Sequence, residues 1–187
     1  CHSLVARQSG MSMKGITLFI FGGVAEMGDE PPGPGAEFKV AVIGPISSVL
    51  MAGLFLLLQW IGGSLEWPVP FTAIVGYLAV INLVLAIFNV LPAYPLDGGR
   101  ILRSILWAWK KNLRWATRIA SRIGSGFGIL LILLGAVSFF GGNFIGGIWW
   151  FLIGMFMRAA SQQSYQQLLM RKALEGETIE RFMKKDP

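Results

Sequence analysis

Four long apolar runs, separated by short polar or glycine-rich breaks, dominate the pattern of this chain. Val40–Ile61 carries no charged residue over 22 positions, and the Pro45 inside it is a break that neighbouring helices in a membrane tolerate. Phe71–Leu91 runs for 21 residues with Asn82 and Asn89 as its only amides, and Ile123–Phe140 for 18. Gly141–Met157 is shorter and glycine-rich, with Trp149 and Trp150 inside it. A helix rising 1.5 Å per residue crosses a hydrocarbon core of about 30 Å in roughly 20 residues, so each run predicts a spanning helix. The expected fold is mainly α: a polytopic transmembrane helical bundle.

The segments between and around these runs follow other rules. Ser3–Gly10 predicts the last turns of a further helix stopped by Gly10. Gly15–Met27 is β-branched and aromatic, then broken by Gly22-Gly23, which predicts one or two strands with a bend. Gly28–Gly35 predicts a loop. An open sheet edge cannot face lipid, so this small membrane-associated β element is expected beside a wet cavity. After Arg158 the pattern turns polar, with a helical stretch over Gln162–Leu174 that ends near Gly176. The expected division is therefore a membrane core over 1–160 and a cytosolic helix or linker over 161–187.

Charge fixes an orientation. With the four runs placed alternately, all 16 Lys and Arg residues fall on one side, and the turns Gly62–Pro70 and Gly141–Phe144 hold none. The positive-inside rule makes that side the cytosol, with the C-terminus there too. Composition agrees with a multi-pass membrane protein: 54% of residues are hydrophobic and 14% charged, against about 25% charged in soluble domains. The net charge of +6 does not point to nucleic acid, because no aromatic-basic module accompanies the cations. A single Cys rules out an intrachain disulfide. That residue is Cys1, which reads either as an acylated lipoprotein terminus or, preferred here, as an ordinary helix residue in a chain whose upstream part is missing.

Candidate chemistry sits at two places. Asp97 follows the second full apolar run, where a carboxylate is costly to bury unless a cation compensates it. His2 is the lone histidine of the chain. Each has a plainer reading: Asp97 as the cap of a helix starting near Gly98, His2 as a structural side chain. Together an imidazole and a carboxylate are donors of the kind that hold zinc, which lowers the pKa of bound water to about 7. Asn82 is expected to glue helices together, and Ser47 and Ser48 to allow close packing.

Asn89-Val90-Leu91-Pro92-Ala93-Tyr94-Pro95-Leu96-Asp97-Gly98-Gly99-Arg100 resembles the Asn-x-x-Pro-x-x-Pro-Leu-Asp-Gly-Gly-Arg signature of the site-2 protease family of intramembrane zinc metalloproteases. Cys1-His2-Ser3-Leu4-Val5-Ala6-Arg7 is similar to the second half of that family's His-Glu-x-x-His helix, and Phe21–Ala25, and Glu37-Phe38 followed by Ala41–Pro45, are similar to family sequence. The resemblance implies His2 and Asp97 as ligands of Zn2+, with a third ligand and the catalytic Glu upstream of Cys1. It implies Asn89 as a substrate or oxyanion contact, and Gly98-Gly99 as a close turn around the metal. Ser48 stands where the family often has Asn, which removes an amide contact there. The implied substrate is a transmembrane segment of a regulatory protein, captured as an added strand along Ile16, Leu18, Ile20, Gly22 and Gly23. The tail from Gln166 to Pro187 resembles the entry to a CBS domain, so any nucleotide would act only through a domain outside this chain. The sequence leaves two rivals standing, an inactive membrane scaffold of the same fold and a cation-coupled transporter, and it is silent on oligomeric state.

Overall fold

The computed structural model describes residues 2–10, 13–19, 22–27 and 31–174. The chain begins with a short helix, α1 (His2–Gln8), and Gly10 at φ +75° leads out of it. Two strands follow, β1 (Met13–Phe19) and β2 (Gly22–Met27), paired antiparallel with Ile16 opposite Ala25 and Leu18 opposite Gly23. Ile20 lies outside the described residues, as does the last part of the tail from residue 175 onward.

Five helices complete the fold: α2 (Pro34–Ser64), α3 (Val69–Val90), α4 (Asp97–Lys110), α5 (Leu113–Phe140) and α6 (Phe144–Leu174). Four of them, all but α4, are long and apolar enough to cross a membrane; they hold the expected runs except Leu91, which follows α3, and residues 141–143, which precede α6. At 31 residues, α2 extends about 46 Å, well beyond a hydrocarbon core of about 30 Å. It starts at Pro34, inside the expected loop, because proline suits the first turn of a helix. The expected boundary at 160/161 falls inside α6, which runs on unbroken to Leu174. No Gly or Pro lies between Met155 and Leu174 to stop it.

Only 17–28% of each apolar stretch is buried inside the protein. Phe140, Val69 and Val137 are 72–87% exposed, an arrangement that water would penalise and lipid tails accept. Helix contacts therefore depend on shape. α2 packs on α3 and α5 on α6, while α4 lies against both α2 and α5 and joins the two pairs. In the α5–α6 pair, Gly128 and Gly154 face each other's backbones: a Cβ on either would lie 2.6–2.7 Å from the other's carbonyl oxygen. Such close approach is how membrane helices gain dispersion contact. Asn82, expected to glue helices, donates its amide to the Leu78 carbonyl one turn back on α3, at 2.8 Å, and makes no interhelical hydrogen bond among the described residues. Polar side chains next to a helix backbone meet that demand locally.

Replacing Gly154 with Val should therefore force the α5–α6 backbones apart and destabilise the fold by about 1–3 kcal/mol. Thermal unfolding in detergent measures this; an unchanged midpoint would show that the contact is slack.

Candidate metal centre

Three helices bring the candidate site together. α1 is seated on α2 by Ala6 and Val40, both fully buried, with Val5 packed alongside. This places His2 next to α2, where its Nδ1–H donates to the Val40 carbonyl at 2.9 Å. A carbonyl can only accept, so Nδ1 carries the proton and Nε2 is the nitrogen left to face the site. Backbone carbonyls orient metal-binding imidazoles in the same way.

Asp97 reaches the same point from the other direction. After α3 the chain folds into a tight loop, with Ala93 N–H bonded to Leu91 O and Leu96 N–H to Ala93 O. The first turn of α4 rests directly on that loop. A Cβ at Gly98 would collide with the Val90 and Leu91 carbonyls, and one at Gly99 with the Ala93–Tyr94 backbone. The two glycines thus permit helix-on-loop contact beside the site; neither has positive φ. Asp97 is the first helical residue, after the N-cap Leu96, and no side-chain capping bond is made there. The cap reading of Asp97 fails, and its side chain turns to His2.

Asp97 Oδ2 and His2 Nε2 stand 3.5 Å apart. A charge-assisted hydrogen bond between them would close to about 2.7–2.9 Å. A tetrahedral ion with bonds of about 2.1 Å would hold two ligand atoms about 3.4 Å apart. The observed spacing fits the second case. Burial pushes the Asp97 carboxyl above its ordinary pKa, against the opposing pull of His2 and then Arg100. A cation favours the carboxylate and would offset that cost, with release of a proton on binding.

Gly44 on α2 backs the pair. A Cβ there would collide with Asp97 Oδ2 and lie 2.7–2.8 Å from the His2 ring, so only glycine lets α2 pass this close. Among the described residues no group of three His, Cys, Asp or Glu assembles. The site therefore offers two donors, and the residues present fit part of a zinc shell.

One feature of the site was not anticipated from sequence. Glu37, two turns before Gly44 on α2, is fully buried and pairs with Arg103 on α4. Arg103 Nε donates to Glu37 Oε1 at 2.7 Å and a second guanidinium nitrogen binds the same oxygen. The guanidinium also lies over the Tyr94 ring, 5.0 Å from its centroid. This pair staples α2 to α4 two turns from Asp97. The signal in the sequence was an acid at the head of an apolar helix and an arginine six positions after Asp97.

Asn89 lies half-buried near the end of α3, and its amide makes no hydrogen bond among the described residues. Ile16 and Leu18 lie on β1, and Gly22 and Gly23 on β2. Ser47 donates to the Gly44 carbonyl within α2 at 2.8 Å.

Comparisons with known proteins converge. Residues 64–134 match peptidase family M50. A Synechocystis sp. protein whose name places it among zinc metalloproteases is 42% identical over 96% of this chain and 46% of its own length. The zinc metalloprotease MJ0392 of Methanocaldococcus jannaschii is 36% identical over 73% of this chain and 39% of its own length. The chain spans about half the length, or less, of these relatives. In three dimensions it resembles the site-2 protease from Methanocaldococcus jannaschii with a TM-score of 0.65 and 32% identity, over 87% of this chain and 69% of that one.

Two substitutions test the site's supports. Gly44→Ala should weaken zinc binding by about 10–100-fold, the range for lost support of metal ligands, as read by chelator competition; an unaltered affinity would mean α2 does not back the pair. Glu37→Ala removes the buried carboxylate that holds α4 to α2 through Arg103 and should cost up to about 3–5 kcal/mol of stability, measured by thermal unfolding.

Proposed function

We propose, from the premise that this chain belongs to the M50 site-2 protease family, that it is part of an intramembrane zinc metalloprotease in which His2 and Asp97 are two of the metal's ligands. The integral-membrane helical fold fits this reading, and so do the zinc-metalloprotease names of its relatives. The observation that carries it is the 3.5 Å approach of His2 Nε2 to Asp97 Oδ2 across the Gly44 gap.

His2 would offer Nε2 with its tautomer set by the Val40 carbonyl, and Asp97 a carboxylate oxygen held by the turn into α4. Zinc, when bound, supplies a lowered water pKa and polarisation of a substrate carbonyl. A third ligand and a Glu general base are expected from outside these 187 residues, since the relatives are about twice as long. Asn89, with its amide free of intramolecular bonds among the described residues, is suited to a substrate backbone group or developing oxyanion.

The proposed substrate is a transmembrane segment of a regulatory protein. Its helical carbonyls are tied internally, so a stretch must unwind before attack. The β1–β2 hairpin would receive that stretch by strand addition, with Ile16 and Leu18 on β1 or Gly22 and Gly23 on β2 offering the edge. The charge asymmetry supports a cell-membrane protein with the site and the C-terminus on the cytosolic side.

In the full-length protein, Asp97→Asn should lower bound zinc to well below one equivalent and reduce cleavage of a transmembrane substrate to background. Elemental analysis and a gel-based cleavage assay read the two effects. Full zinc occupancy and normal cleavage in that variant would overturn the assignment.

A further inference from the structure

A polar cleft of about 540 Å³ lies between α5 and α6, away from the metal centre's own side chains. α5 contributes Arg118, Ser121 and Arg122; α6 contributes Gln162, Tyr165 and Gln166. Arg118 and Arg122 sit one turn apart on the same helix face, both exposed. Among the described residues neither forms an ion pair, and no carboxylate lines the cleft. Ser121 is buried, 6% exposed, and its Oγ has no hydrogen-bond partner among the described residues. A buried hydroxyl left without a partner is costly and marks a place where an unseen group belongs. Two guanidinium groups, hydroxyls and amides with no opposing acid make a set of donors suited to an anion with several oxygens.

The depth of the cleft narrows the choice of anion. Arg122 stands 18 residues before Phe140, where α5 ends, and Gln162 stands 18 residues after Phe144, where α6 begins. At 1.5 Å per residue that places the cleft about 27 Å from the Gly141–Asn143 turn, close to one hydrocarbon thickness. With that turn at one surface of the bilayer, the cleft lies at headgroup level on the other. Its walls also hold the loop leading to Asp97: Ser161 Oγ donates to the Tyr94 carbonyl, and Gly124 lies against the same carbonyl.

We propose that this cleft binds a phosphate group, and that its source in the membrane is the headgroup of an acidic phospholipid. This assignment does not rest on the proteolytic reading.

The test uses the full-length protein in neutral phosphatidylcholine nanodiscs containing a small fraction of phosphatidylglycerol, with retained lipid counted by native mass spectrometry. The wild type should retain phosphatidylglycerol in preference to phosphatidylcholine. Replacing both arginines (R118Q with R122Q) should lower that retention by about tenfold or more, as expected for two cations at an anionic site. Lys110→Gln with Lys111→Gln removes the same charge from the neighbouring helix end and should change it less than about twofold. Ser121→Val keeps the charge, fills the cleft and should also lower retention; if that variant fails to fold, the exposed arginine pair decides. Equal retention of the two lipids, or equal losses in the arginine and lysine pairs, would overturn the site. Thermal stabilisation in detergent by inorganic phosphate, with none by phosphatidylglycerol, would assign the cleft to a soluble anion and overturn the lipid source.

Discussion

An imidazole nitrogen and a carboxylate oxygen face each other across a gap too wide for a hydrogen bond, and the rest of the site is arranged to keep them there. With Nδ1–H donating to the Val40 carbonyl, His2 turns Nε2 toward the Asp97 carboxyl oxygen at 3.5 Å. An unprotonated Nε2 and a carboxylate in that position repel unless a proton or a metal ion lies between them. Burial of Asp97 sharpens the demand, because a half-desolvated carboxylate without a counter-charge is unfavourable. A metal ion between the two side chains would meet that requirement, and the zinc-metalloprotease names of the relatives favour it.

The supports around the pair have separable roles. α1 is positioned by the Ala6–Val40 contact, and α4 by the loop under Gly98-Gly99 and by the Glu37–Arg103 ion pair. All of them converge on one surface of α2, where Glu37, Val40 and Gly44 follow at helical spacing. Gly44 lies 20 residues before Ser64, where α2 ends, or about 30 Å along the axis. The pair therefore sits near the bilayer face opposite the α2–α3 turn, within reach of water yet shielded by helices. Outside this region the helices present apolar side chains outward and rely on glycine contacts such as Gly128–Gly154 for cohesion.

Much of this was legible in the sequence, because a membrane span leaves a signal that depends on length and apolarity alone. The four spanning helices arise where the uncharged runs stand, and Gly10 closes the first helix. Asp97 was conspicuous as a carboxylate just past an apolar run, and His2 as the lone imidazole. Their meeting is a tertiary fact, and the family resemblance, not spacing, led to it. Local competition misled the reading of Asn82, whose amide turned to its own helix. The Glu37–Arg103 staple escaped because two charges on different helices carry no mutual signal in one sequence. The length of α6 was underestimated because a change from apolar to polar residues ends a span without ending a helix.

The most direct test is anomalous scattering from crystals of the full-length protein at the zinc absorption edge. The account predicts a single strong peak about 2.1 Å from both His2 Nε2 and an Asp97 carboxylate oxygen. A peak held by other side chains, or His2 and Asp97 far apart with no metal between them, would contradict it.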